Sequence, residues 1–332
     1  MQLLRKIAYP ISLLYAAVVY VRNYCYDIGV FKSKCFKTPT ICIGNLSIGG
    51  TGKTPMIEWL ITNLETTKRL AVLSRGYRRK TKGFIEVNPT HSSRDVGDEP
   101  LQIYKKFPDS IVAVDAERRN GIAILEEKYS PDFLLLDDAF QHRKVHASLY
   151  LLLTSFDNLY TKDFYLPTGN LRDGKKEAKR AKLIIVTKCP LLLDSAIQAE
   201  IIKQLNPLPY QRVLFCGFEY DQIVHGNKRS IELNTLKQKK VTLVTGIANA
   251  APLYQFLESQ GLIVEHLEFP DHHFFTGREL KEFELKELIL TTEKDYTRMN
   301  SNANNIFYLS VKHRFLGDGK SVVLKTVEEL GK

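Results

Sequence analysis

A glycine-rich turn set between an apolar run and a helical pattern narrows the folds open to this chain more than any other feature. Thr40-Ile41-Cys42-Ile43 reads as a buried strand, and Ser47-Ile48-Gly49-Gly50-Thr51-Gly52-Lys53-Thr54 follows it. Met56, Ile57, Leu60, Ile61 and Leu64 then recur at helical spacing, and Pro55 falls in the first helical turn, where no N–H donor is needed. Such a strand–turn–helix exposes successive backbone N–H groups and aims a helix N-terminus at one point, and both attract phosphate. Lys53 adds a charge for the outer phosphates, and the Thr54 hydroxyl is placed to ligate Mg²⁺. The run matches G-x-x-x-x-G-K-[ST] at Gly52, Lys53 and Thr54; Ser47 stands at the first glycine, with Gly49 and Gly50 to supply flexibility. The expectation is a nucleoside triphosphate cradled by Ser47, Ile48, Gly49, Gly50, Thr51, Gly52, Lys53 and Thr54.

Apolar runs bounded by turn residues alternate with helical stretches: Ile41–Ile43, Leu70–Leu73, Ile111–Val114, Phe133–Leu136, Leu149–Leu153 and Leu183–Val186. That alternation predicts a parallel α/β sheet with ligands gathered at the carboxyl ends of its strands. After Pro207 the texture changes. Val213–Phe218 reads as a strand, Asn227–Lys240 is polar and basic, and a second α/β pattern follows with strands at Val241–Val244, Leu262–Leu267, Leu288–Leu290 and Ile306–Leu309 and helices at Ala250–Ser259 and Glu279–Leu285. The expected organisation is α/β: a P-loop NTPase-like parallel-sheet domain at 31–212, a second, smaller α/β domain at 213–312 closing the cleft, and a return to the first domain at 313–332.

Residues 1–30 form an N-terminal segment of different character. Ile7 to Val21 carries no charge and is flanked by Arg5, Lys6 and Arg22. As a helix it would span about 22 Å, short of the roughly 30 Å hydrocarbon core. Tyr9, Tyr15, Tyr20 and Tyr24 suit a membrane interface, and no small-x-small cleavage site follows. The expectation is a membrane-associated helix, a shallow or partly inserted anchor on the cytoplasmic face; a buried core helix is the plainer alternative. The net charge of +10 favours anionic partners. With no zinc-finger spacing and no RNA-binding aromatic motif, nucleic acid is not expected among them. The five cysteines form no C-x-x-C pair and read as free thiols in a reducing compartment.

Phe133-Leu134-Leu135-Leu136-Asp137-Asp138 is an apolar strand ending in two acids. Adjacent like charges there are costly unless a cation or solvent offsets them, and in P-loop enzymes a strand-end acid holds the Mg²⁺ that bridges the β- and γ-phosphates.

Several further segments appear in order: Ser74-Arg75-Gly76-Tyr77, Gly97-Asp98-Glu99-Pro100, Asp137-Asp138-Ala139-Phe140-Gln141-His142, Pro167-Thr168-Gly169-Asn170-Leu171-Arg172, Pro270-Asp271-His272 and Thr292-Glu293-Lys294-Asp295. Together with the glycine-rich turn, the ordered set resembles the tetraacyldisaccharide 4′-kinase family, the lipid A kinases of Gram-negative bacteria. The resemblance implies two α/β/α domains joined by a β linker with the active site in the cleft. It implies transfer of the ATP γ-phosphate to the 4′-hydroxyl of a tetraacylated glucosamine disaccharide 1-phosphate at the cytoplasmic face of the inner membrane, with no obligate protein partner. It also implies roles: Asp98 as general base with His272 as its partner, Asp137, Asp138, Thr54 and Glu99 around Mg²⁺, Lys53, Arg118 and Arg172 on phosphate, and Tyr77 on the nucleotide side. Ser47 fits the family pattern. Ala139 replaces the glycine of D-D-G-F-Q-H, and Asp173 replaces the glutamate of L-R-E. The competing reading is a membrane-recruited ATPase of the partitioning or maturation type, whose loop K-G-G-x-G-K-[ST] requires a lysine where this chain has Ile48.

Overall fold

The computed structural model describes Arg5, residues 7–65 and residues 68–331; Lys6, one of the charges flanking the apolar N-terminal run, lies outside the described residues. The strands are β1 (Thr40–Asn45), β2 (Leu70–Ser74), β3 (Ile85–Glu86), β4 (Ile111–Val114), β5 (Phe133–Asp137), β6 (Leu149–Ser155), β7 (Leu183–Thr187), β8 (Arg212–Gly226), β9 (Ser230–Glu232), β10 (Lys240–Thr245), β11 (Ile263–Glu268), β12 (Ile289–Thr292) and β13 (Ile306–Phe315). All lie in one 13-stranded sheet, ordered β11-β10-β12-β13-β8-β7-β6-β1-β5-β2-β4-β3, with β9 paired to β8. From β4 to β7 every pairing is parallel, as it is from β11 to β13.

The two parallel blocks meet at one antiparallel ribbon. Arg212–Phe215 of β8 pair with β7, and from Cys216 onward β8 pairs with β13. Both ribbon strands run longer than the apolar runs at Val213–Phe218 and Ile306–Leu309 predict. Ladder hydrogen bonds use backbone groups, so pairing continues through polar stretches such as Glu219–Gln222 that hydropathy alone does not mark. The two-residue strand β3 is likewise too short to carry an alternation signal.

Burial on both faces explains the near-continuous apolar strands. Ile41 and Ile43 of β1 point into one layer with Leu60 of helix α2 (Lys53–Leu64), while Cys42 points into the other with Leu73 and Phe140. The C-terminal helix Gly319–Glu328 contributes Val323 and Val327 to the first of these layers.

The N-terminal helix, α1 (Tyr9–Asp27), is inverted relative to an ordinary surface helix. Its buried residues include the polar Ser12 and Asn23, while Ile11, Leu14 and Val18 are each 60% or more exposed, which excludes a core helix. Polar contacts hold it: Ser12 donates to Thr168 (2.8 Å), the Tyr15 hydroxyl donates to the Arg172 carbonyl (3.0 Å) and Asn23 donates to Asp173 (2.7 Å). Asp173 is wholly buried and fixes α1, so the shorter acid at that position has a structural task. Among the described residues, no helix is long and apolar enough to cross a membrane.

Leu135 sits fully buried in β5 between Ile41 and Val72. Leu135→Ala is expected to lower unfolding free energy by about 2–5 kcal/mol in urea denaturation.

Candidate active site

The glycine-rich turn leaves the carboxyl end of β1, the central strand at which the chain's excursions switch sides. Gly52 adopts φ +82° and immediately precedes α2, a left-handed conformation that L side chains rarely adopt. The turn is braced from the sides. Ser47 Oγ donates to Asp163 (3.0 Å), the Ile48 N–H donates to the Asn170 carbonyl (2.7 Å), Asn45 donates to Thr51 Oγ1 (3.0 Å), and Thr187 Oγ1 donates to the Thr51 carbonyl (2.9 Å). Ile48, Gly49 and Gly50 remain exposed, so the mouth of the turn is open.

Opposite Lys53 lie the strand-end acids. Lys53 Nζ is 3.8 Å from Asp138, and Arg172 grips the same carboxylate with both terminal nitrogens while also donating to Asn45 Oδ1. Asp138 adopts φ +46°, a strained conformation that aspartate tolerates better than most residues. Burial pushes its pKa up, but the charges of Lys53 and Arg172 and the Arg172 hydrogen bond prevail and bring it down to about 2. Asp137 moves the other way. Burial, together with the charges of Glu99 and Asp138, pushes it up to about 7 despite the hydrogen bond from Ser74 (2.8 Å). Its Oδ1 is buried and without a hydrogen-bond partner among the described residues.

A second cluster joins the first block to the second. Helix α4 (Asp98–Lys106) starts at the G-D-E-P segment, and α9 (Glu293–Met299) follows β12. Arg298 of α9 donates through Nε to Asp98 (2.7 Å), and Lys294 pairs with Glu99 (3.0 Å). His272 arrives from the β11–β12 connection with φ +62°, placing Nδ1 3.3 Å from Asp98 and 3.0 Å from Arg298 Nη2. An arginine only donates, so His272 Nδ1 either accepts from Arg298 or, protonated, donates to Asp98; the two bonds exclude each other. Burial raises the Asp98 pKa, but the His272 contact and the charge and hydrogen bond of Arg298 bring it below the ordinary carboxylate range. Glu99 is also lowered: burial opposes, and the charges of Lys294 and Lys53 prevail.

The remaining expected residues divide. Tyr77 is exposed, with its ring edge-on to His272 at 5.4 Å. Thr54 occupies the first turn of α2 beside Lys53. Arg118, at the start of the helix Arg118–Tyr129, is buried and donates to the backbone carbonyls of Asp115 (3.0 Å) and Asp137 (3.2 Å), so it braces the acidic strand end. Arg172 is taken up by Asp138 and Asn45. Sequence reasoning did not single out Arg298, Asn45 or Lys188. Lys188 follows β7 with φ +60°, and its Nζ lies 4.0 Å from where a Cβ on Gly50 would stand. Its signal was available, because a lysine just past an apolar strand end points to the ligand side of a parallel sheet.

The sequence model of the tetraacyldisaccharide-1-P 4′-kinase family, LpxK, matches residues 4–328. The chain belongs to that family. It is 44% identical over 322 residues to the tetraacyldisaccharide 4′-kinase of Flavobacterium johnsoniae, covering 95% of this chain and 94% of that one. It is 43% identical to the enzyme of the same name from Flavobacterium psychrophilum, covering 98% and 97%. The crystal structure of the "apo" form of LpxK from Aquifex aeolicus in complex with ATP superposes with a TM-score of 0.81 at 31% identity, covering 99% of this chain and 100% of that one. The family match, at residues 4–328, includes the N-terminal helix.

The raised pKa of Asp137 has a thermodynamic consequence. An unfolded aspartate ionises near pH 4, whereas folded Asp137 holds its proton to about pH 7. Folding therefore takes up a proton between those values, and stability falls as pH rises through the window. Asp137→Asn removes the penalty, so the melting temperature of the ligand-free protein should rise more at about pH 8 than at about pH 5.

Proposed function

We propose that this protein transfers the γ-phosphate of ATP to the 4′-hydroxyl of a tetraacylated glucosamine disaccharide 1-phosphate. One observation carries the reading. A glycine-rich turn carrying Lys53, buried strand-end acids and an Asp98–His272 pair lie close together, with the charges of Lys53 and Asp138 both acting on Glu99 beside Asp98, in a chain whose family and relatives bear that kinase name. In this reading 31–212 and 213–312 act as lobes, with His272, Lys294 and Arg298 brought to the first lobe by the second.

Phosphoryl transfer needs little covalent chemistry from the protein; positioning and charge neutralisation do most of it. The backbone N–H groups of the turn between Gly49 and Thr54, except that of Thr51, which donates to the Gly49 carbonyl (3.1 Å), hold the triphosphate together with the Lys53 ammonium. Asp98, ionised at neutral pH, accepts the proton of the attacking hydroxyl as its oxygen bonds to the γ-phosphorus and ADP leaves. With its Nδ1 protonated, His272 donates to Asp98 and keeps that carboxylate aimed at the hydroxyl. Arg172 positions Asp138, and a direct phosphate contact from it requires an exchange of partners.

The residues present fit Mg²⁺. The Asp137 Oδ1 atom has no hydrogen-bond partner among the described residues, and Asp138 lies beside it. Mg²⁺ takes one or two carboxylates and completes its shell with phosphate and water. Asp137, Asp138 and Thr54 would hold it, with Glu99 a further candidate. When bound, Mg²⁺ neutralises charge across the β- and γ-phosphates.

The acceptor is a lipid, and α1 suits the surface that carries it. Its outward face presents Ile11, Leu14, Val18 and Val21 with Tyr20 and Tyr24, and Arg5, Lys32 and Lys34 lie exposed nearby. Each basic residue near an anionic surface adds about 1 kcal/mol of attraction. We therefore place the protein peripherally on the cytoplasmic face of the inner membrane.

Incubation with Mg-ATP and the disaccharide 1-phosphate should add the mass of one phosphate to the lipid; ATP turnover without that gain would overturn the kinase reading. Asp98→Asn should lower kcat by at least about 100-fold while ATP binding persists, since a positioned base contributes that much. A triple substitution Ile11→Glu, Leu14→Glu and Val18→Glu, on exposed positions, should abolish co-sedimentation with anionic phospholipid vesicles and leave the melting temperature near its starting value.

A further inference from the structure

The end of β13 enters the first block beside the phosphate-binding turn, and His313 on that strand touches the turn itself. The imidazole is buried, with Nε2 2.9 Å from the Gly52 carbonyl oxygen and Nδ1 3.2 Å from Cys216 Sγ. The Phe218 ring packs against it at 5.1 Å. A carbonyl only accepts, so Nε2 carries the hydrogen, and Nδ1 is left to accept from the Cys216 thiol. Burial keeps that thiol protonated and holds the imidazole near pKa 4, so the ring stays neutral at physiological pH.

The Gly52 carbonyl is therefore held twice, by His313 and by the Met56 N–H that makes the first helical bond of α2 (3.1 Å). The peptide bond is planar and trans, so fixing that carbonyl also fixes the Lys53 N–H, which points the opposite way. A side chain on Gly52 would put its Cβ 2.9 Å from the His313 ring, so the contact requires glycine there.

We propose that His313 is a positioning residue for the nucleotide: it clamps the Gly52–Lys53 peptide so that the Lys53 N–H faces the triphosphate, and Cys216 fixes the ring tautomer that does so. The clamp rests on the ATP reading above and adds a residue from the β8–β13 ribbon to that site. Because His313 lies behind the turn, it acts on ATP affinity and not on the acceptor.

The test uses the full chain, with ATP dissociation constants measured in the absence of acceptor and steady-state constants measured for both substrates. His313→Leu removes the donor, whereas His313→Gln keeps an N–H near the same place. The Leu variant should weaken ATP binding and raise the KM for ATP about tenfold, the upper end of what one lost hydrogen bond contributes, the Met56 N–H still holding the carbonyl. The KM for the disaccharide should stay unchanged, and the Gln variant should recover most of the loss. A folded Leu variant with unaltered ATP affinity overturns the clamp. A Gln variant as impaired as the Leu variant, with both KM values and kcat affected together, also overturns it by marking a packing role. Should the Leu variant fail to fold, ¹⁵N NMR of the unmodified protein decides. An Nε2–H tautomer with bare Nδ1, constant between about pH 5.5 and 8, is expected, and a protonated Nδ1 overturns the proposal. Nucleotide binding needs no acceptor, so this arm decides the clamp even if transfer to the lipid is not observed.

Discussion

Carboxylates buried beside the glycine-rich turn must be balanced by cations, and much of the molecule is arranged around that balance. Asp138 is matched by Lys53 and Arg172, Glu99 by Lys294 and Asp98 by Arg298. Among the described residues Asp137 has no ion pair of its own, and it alone of the four is driven toward protonation. The imbalance has a direction: that strand end is short of positive charge, which a bound divalent cation would supply.

The same balance joins the two parallel blocks. Residues from one block carry the acids, and α9 from the other carries Lys294 and Arg298. A further bridge, Lys106 with Glu58 and Glu293, lies behind α2. Burial and the neighbouring charge of Glu293 push Glu58 up to about 7, so this bridge too holds more negative charge than one lysine offsets. Domain contacts made of buried charge are sensitive to partner loss, because each abandoned charge costs more than the pair contributed. The β8–β13 ribbon supplies the continuous backbone connection between the blocks, and His313 at its end reaches the turn.

At the opposite edge of the site, α1 is bound by polar contacts to the loops that carry Thr168, Arg172 and Asp173. A helix that buries hydroxyls and amides and exposes its apolar residues gains nothing from water on its outer face. That exposed apolar face lies on the same helix that holds the loop of Arg172.

The parallel sheet, the turn at 47–54 and the acidic strand end were legible because each depends on local order: apolar runs, glycine at a fixed offset and acids at a strand terminus. The pairing of Asp98 with His272 came from the family resemblance and not from spacing, since the two are far apart in the chain. Arg118 and Arg172 read as phosphate contacts, and their first partners are a pair of carbonyls and Asp138. Arg298 and His313 carried no recognisable pattern, because their importance comes from what folding places beside them. The sequence by itself determined the elements and the glycine-rich turn between β1 and α2, since backbone periodicity and glycine conformation act over a few residues. Only the tertiary structure decided which charges are buried together, which tautomer His313 holds and which face of α1 looks outward, because burial and electrostatics depend on distance in space.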